Sequence, residues 1–167
     1  VPLLFSGGTF LSQIKEIMSN FQLIKDFNQT FGHAVRDEVS LDYPDVKMRY
    51  EQVFLEEVQE IADAFKSWSE AKNEEERKEA AIEMLDALVD TEVTLHGLAQ
   101  AMGMPTEEGF VAVYKSNMSK AGPDGKPMYY PEGHVKAGKI AKGPNFKEPY
   151  EDLKKLVEER WNPSQSA

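Results

Sequence analysis

Between Glu79 and Tyr114 the chain places seven acidic residues and not one lysine or arginine. Four of them, Glu79, Glu83, Asp86 and Asp90, recur at intervals of 4, 3 and 4, which on a helix confines them to an arc of roughly 60°. Like charges at those spacings destabilise a helix by about 0.2–0.5 kcal/mol per pair. The ridge is flanked by Ala87, Thr91, Val93, Thr94 and Gly97, small or apolar residues that predict a helix buried on most sides. A second acidic group precedes it. In FLEEVQEIADAF, residues 54–65, Glu56, Glu57 and Glu60 fall within an arc of roughly 100° bordering the apolar stripe of Leu55, Val58, Ile61, Ala62 and Phe65. One such helix alone reads as a solvated acidic face. Two in succession read differently, because carboxylates at the edge of a core need a counter-charge, and without basic partners the natural one is a divalent cation. Hard oxygen donors select magnesium or manganese over zinc.

The remaining pattern is helical. Leu11, Ile14, Ile17, Met18, Phe21, Ile24, Phe27 and Phe31 predict a helix over 10–31 that stops at Gly32. Pro44 suits a first helical position, and apolar residues from Val46 to Phe65 continue a second helix to about Trp68. After SEAKNEEERKE a third runs to Met102, with Gly103 as its stop; a fourth starts at Pro105 and reaches Lys120. GPDGKPMYYPEGHVKAGK, residues 122–139, carries the turn residues of a small β-hairpin, KGPNF reads as a loop, and Tyr150 to Trp161 returns to helix. The expected fold class is therefore all-α, of four-helix-bundle type, with a C-terminal β-hairpin and a terminal helix. Residues 1–19 are expected to be an N-terminal extension and 20–122 the helical core. Residues 123–167 are expected to carry the hairpin, lysine-rich loop and last helix of the same domain.

Charge narrows the function classes. The net charge of −10 argues against gripping a phosphate backbone, so no nucleic-acid partner is expected. No apolar run approaches the roughly 20 residues of a membrane span, and VPLLF is too short for a secretory signal. With no cysteine in the chain, a cytoplasmic location and no membrane association are expected. Residues 115–147 reverse the sign, with 7 lysines against Asp124 and Glu132.

Together the motifs resemble the all-α nucleoside triphosphate pyrophosphohydrolase superfamily, the MazG-like and phosphoribosyl-ATP pyrophosphohydrolase-like proteins. Their pattern, E-E-x-x-E, a spacer, then E-x-x-D, stands here as Glu56-Glu57-Val-Gln-Glu60, 22 intervening residues, and Glu83-Met-Leu-Asp86. KSNMSKAGPDGKPMYYPEGHVKAGKIAKGPNF and FNQTFGH are similar to segments of its small, often phage-encoded members. The resemblance implies a MazG-like fold, a homodimer or dimer of dimers, and hydrolysis of a (deoxy)nucleoside triphosphate to the monophosphate and pyrophosphate. It implies Mg2+ or Mn2+ on Glu56, Glu57, Glu60, Glu83 and Asp86, with Glu57 and Glu60 as catalytic residues. Lys115, Asn117, Lys120, Lys142 and Asn145 are the expected substrate contacts, and Phe31, Tyr129 or Tyr130 could stack on a base.

Competing motifs fail. A di-iron bundle needs E-x-x-H on two helices, and His96 has Val93 three residues before it. There is no P-loop and no nucleophile elbow. The alternative from a different class is a non-catalytic acidic helical interaction module with structural metal binding.

Overall fold

The computed structural model describes residues 18–161, which form two compact units, one ending at Met104 and the other spanning 105–161. The described residues contain helices and no sheet, so the chain is all-α. The predicted helical pattern upstream of residue 18, and most of the expected N-terminal extension, lie outside the described residues.

The first unit opens with α1, Asn20–Thr30, where the Ser19 side chain accepts a hydrogen bond from the Gln22 N–H and caps the helix. Gly32, at φ 72°, ends it as expected. The second predicted helix is broken in two. It runs as α2, Pro44–Met48, then as a π-helical turn over Arg49–Phe54, then as α3, Leu55–Glu70. The widened turn lets the Leu55 N–H reach the Tyr50 carbonyl, and it stacks Tyr50 on Phe54 at 6.3 Å between ring centroids. A residue is thereby added to one turn, which re-aims everything downstream, including the acidic group that follows at once.

Next comes α4, Glu74–Ala101, capped by the Asn73 side chain on the Glu76 N–H, with Glu76 reaching back to Asn73 and to the Lys72 N–H. Gly103 ends α4 at φ 70°, and a Cβ there would stand 2.1 Å from the Glu38 carbonyl oxygen, so no other residue fits. The connection between α1 and α2 is pinned along this end of α4. Arg36 donates its N–H to the Gln100 carbonyl and its guanidinium to the Ala101 carbonyl, and Ser40 donates to Met102. Arg36 also pairs with Asp45 at 2.8 Å and lies 4.0 Å over the Tyr43 ring. Burial works against ionisation of Asp45, but hydrogen bonds from Arg36 and Arg49 outweigh it and hold the carboxyl below its usual range. Val46, Leu98 and Ala101 form the core here, with Tyr43, Phe54 and Met102 packed against them.

Small residues dominate the rest of the interior. Ala64 on α3 and Ala80 and Ala87 on α4 are buried, which lets the two helices of this hairpin approach closely. The expectation that α4 is buried on most sides is not met within one chain. Ile82 (62% exposed), Leu85 (64%), Leu88 and Val89 face outward on α4, as do Phe65 (66%) and Trp68 on α3.

The second unit holds α5, Thr106–Met118, and α6, Tyr150–Glu158. Arg160 donates to Glu108 at 2.6 Å; a backbone hydrogen bond and this guanidinium lower the Glu108 carboxyl. Between the helices the expected hairpin does not form a sheet. It is reduced to one antiparallel bridge, Tyr129 to Ile140, flanked by hydrogen bonds from the Tyr130 N–H to Lys139 and from the Ala141 N–H to Met128. Pro127 and Pro131 have no N–H to donate, and His134, Ala137 and Lys139 give theirs to carbonyls three residues back. Local turns have consumed the donors that a ladder would need.

Candidate functional site

The groove beside the α3–α4 contact collects the acidic residues. Glu60, Asp63 and Ser67 from α3 face Glu83 and Asp86 from α4 across a space of about 320 Å3 floored by Ala64. It continues toward the helix connection as a second groove of about 400 Å3, walled by Glu70, Glu76, Glu79 and Glu83 over Ala80. Around α4, at 100° per residue, three sectors separate: buried alanines toward α3, carboxylates along the groove, and the outward apolar stripe beside them.

Glu57 is the half-buried member. Its proton is held more tightly than usual, first because burial penalises the charged form, then because Glu60, Asp90, Glu56 and Asp86 add negative charge around it. That ordering also shows which carboxylates lie close enough to feel one another across the two helices. Among the described residues none of Glu56, Glu57, Glu60, Glu83, Asp86 and Asp90 has a lysine, arginine or histidine ion pair.

The structure thus brings Glu57, Glu60, Glu83 and Asp86 to one groove, with the exposed Glu56 contributing charge from its rim. It adds Asp63, which the sequence reading passed over. Asp63 stands three residues after Glu60 and accepts a hydrogen bond from Gln59. Its signal was the i, i+3 continuation of Glu56, Glu57 and Glu60. The donor set suits a hard divalent cation by its chemistry, being all carboxylate and free of competing cations. Among the described residues no three acidic or imidazole side chains are gathered around one point, so the exposed carboxylates would have to turn inward to grip an ion.

The basic candidates belong to the second unit. Lys120 donates to the Asn117 side chain at 2.6 Å, and the 142–147 loop is tied to the end of α5. Gly143 donates to the Lys120 carbonyl, Lys147 donates to Ser119 Oγ, and Ser116 Oγ donates back to the Lys147 carbonyl. A Cβ on Gly143 would lie 2.4 Å from the Ala121 carbonyl oxygen, so the close approach of this loop requires glycine. Lys142 is engaged with Glu148 at 2.9 Å and lies over the Phe146 ring, while Asn145 is exposed on the same loop. Lys115 sits apart from them, lining a groove between α5 and α6 with Glu108, Asp152 and Lys155. Of the aromatic candidates, Phe31 packs on Phe27 at 4.7 Å, Tyr130 stacks on His134, and Tyr129 is exposed.

No protein-family profile matches the chain, and no curated protein matches it. Among solved structures, one from Exiguobacterium sp. 255-15, described as a "putative NTP pyrophosphohydrolase", is similar at 22% identity over 89% of this chain and 99% of the other, with a TM-score of 0.47. No helix among the described residues is long and apolar enough to cross a membrane.

Proposed function

We propose that this chain is a magnesium-dependent nucleoside triphosphate pyrophosphohydrolase of the MazG-like kind, cleaving between the α and β phosphates. The observation that carries the reading is the α3–α4 groove, in which unpaired carboxylates from two helices surround one glutamate whose proton affinity they raise. Glu56, Glu57, Glu60, Glu83 and Asp86 would hold Mg2+ or Mn2+, and Asp63 and Asp90 extend the set. Such an ion, when bound, neutralises phosphate charge and acidifies a water at neutral pH. Glu57 is suited to take the proton of the attacking water, because a raised pKa moves a carboxylate toward the operating range of a general base. Glu60 carries negative charge beside it and helps set that proton affinity. Lys115, Asn117, Lys120, Lys142 and Asn145, from this chain or from a second copy, offer donors for the β and γ phosphates.

A homodimer is part of the proposal. Phe65, Trp68, Ile82, Leu85, Leu88 and Val89 leave a broad apolar face on the α3–α4 hairpin, and one chain has too few long helices to cover it. A second copy would do so.

The test is a panel of ribo- and deoxynucleoside triphosphates with and without magnesium, scoring pyrophosphate separately from orthophosphate. Stoichiometric pyrophosphate and monophosphate, only with metal, is the expected result. Glu60→Gln and Asp86→Asn should each lower kcat/KM by at least about 100-fold with helicity unchanged. Orthophosphate as the product would overturn the reaction class, and full activity in either variant would overturn the site. Magnesium binding without any turnover would favour the acidic interaction module instead.

A further inference from the structure

One turn beyond the acidic groove, the same helices enclose a smaller cavity of about 110 Å3, lined by Phe27, Asn28, His33, Arg49, Thr94 and Gly97. Thr94 follows Asp90 by four residues and Val53, on its other wall, precedes Glu57 by four, so roughly 6 Å of helix rise separates the two places.

Its polar groups are set by a buried amide chain. Gln100 Nε2 donates to the Phe21 carbonyl at 2.9 Å, so Gln100 Oε1 is the atom left to accept from Asn28 Nδ2, also at 2.9 Å. Asn28 Oδ1 must then accept from His33 Nδ1–H at 3.1 Å, which leaves Nε2 of a neutral His33 as an acceptor. Asn28 and Gln100 are 3% and 2% exposed, so this order is held away from water. Asn28 keeps a second N–H to give.

Gly97 lies in the middle of α4 at an ordinary helical φ, where alanine would be the better helix former. A Cβ at Gly97 would stand 3.7 Å from Asn28 Nδ2 and 3.9 Å from Arg49 Nη1. Two donors therefore look onto the space that the missing methyl leaves open. A cavity of about 150 Å3 takes one benzene ring; this smaller one, open on one side, has room for a single six-membered ring and not for a fused pair.

We infer that this cavity receives the base of a pyrimidine nucleotide, with Asn28 and Arg49 donating to ring acceptors over Gly97, His33 Nε2 facing the ring edge, and Phe27 against its face. The inference rests on the nucleotide-hydrolase reading and names its substrate class.

It is tested without turnover or metal, by titrating the protein with the monophosphates of deoxycytidine, thymidine, deoxyadenosine and deoxyguanosine. Calorimetry and NMR shifts of the Gly97 amide and the His33 ring are the readouts. At least one pyrimidine should bind tenfold or more tighter than either purine and move both signals. Gly97→Ala should weaken that binding at least tenfold without lowering Tm. Purines binding equally well, unmoved Gly97 and His33 signals, or unchanged affinity in Gly97→Ala would overturn it. Failure of all four to bind would overturn it too, even if the triphosphate panel shows pyrophosphate release.

Discussion

Replacing Glu57 by glutamine is expected to make the metal-free protein more heat-stable while abolishing turnover. The stability arm follows from electrostatics. Burial, then Glu60, Asp90, Glu56 and Asp86, raise the Glu57 pKa above its unfolded value, so the folded state holds that proton more tightly than the unfolded chain. The stabilising contribution is fully present below the unfolded value and is lost as pH rises through the folded one. At neutral pH the ionised Glu57 is therefore a cost, and a neutral amide of the same shape removes it. Relief of several like-charge contacts amounts to roughly 0.5–1 kcal/mol, or about 2–4 °C in Tm, and should shrink in high salt as screening takes over. Wild-type Tm should fall with rising pH through the carboxylate range by more than that of Glu57→Gln. The activity arm is a loss of about 100- to 10,000-fold in kcat/KM, the usual worth of a general base. Added magnesium should then stabilise the wild type more than the variant, since an ion bound only by the folded state raises stability by mass action. A variant that is less stable without metal would refute the electrostatic account, and one that keeps full activity would remove Glu57 from the mechanism.

Leu85→Glu is expected to convert a dimer into monomers. Leu85 is 64% exposed in the single chain and sits on α4 between Ile82 and the pair Leu88 and Val89, a stripe beside the carboxylate sector. Burying a leucine contributes about 1.5–3 kcal/mol, and a charge in its place adds a desolvation cost. A twofold interface presents each substitution to both copies, so association should weaken by at least about 100-fold, each 1.4 kcal/mol being tenfold. Sedimentation or light scattering across a concentration series reads this directly. Since Leu85 is absent from the groove lining, a monomeric variant still helical by circular dichroism would also show whether turnover needs the second copy. A wild-type protein that is monomeric at every concentration would end the dimer proposal.

The helix ends were legible because each has a local cause: Ser19 and Asn73 as caps, Pro44 as a first-turn residue, Gly32 and Gly103 as left-handed stops. The carboxylate ridge was legible for a similar reason, since a period of 3.6 and an absence of basic residues are both properties of a short window. The same windows hid the π-helical turn at Arg49–Phe54, which no proline or glycine announces and which depends on how Tyr50 and Phe54 pack. They misread residues 122–139 as a hairpin, because turn residues promise a reversal of the chain without saying whether enough donors remain for a ladder.

What the sequence by itself determined is therefore the all-α class, the helix boundaries and the chemical character of two acidic faces. Tertiary structure alone decided that those faces meet in one groove with Asp63 among them, and that Glu57 is the one whose proton they hold. It also joined Asn28 to Gln100, 72 residues away, and so aimed His33. The physical reason is the range of the forces. Capping and periodicity act over a few residues, whereas a carboxylate's proton affinity and an amide's orientation are set by whatever the folded chain brings within a few ångströms, however distant in sequence.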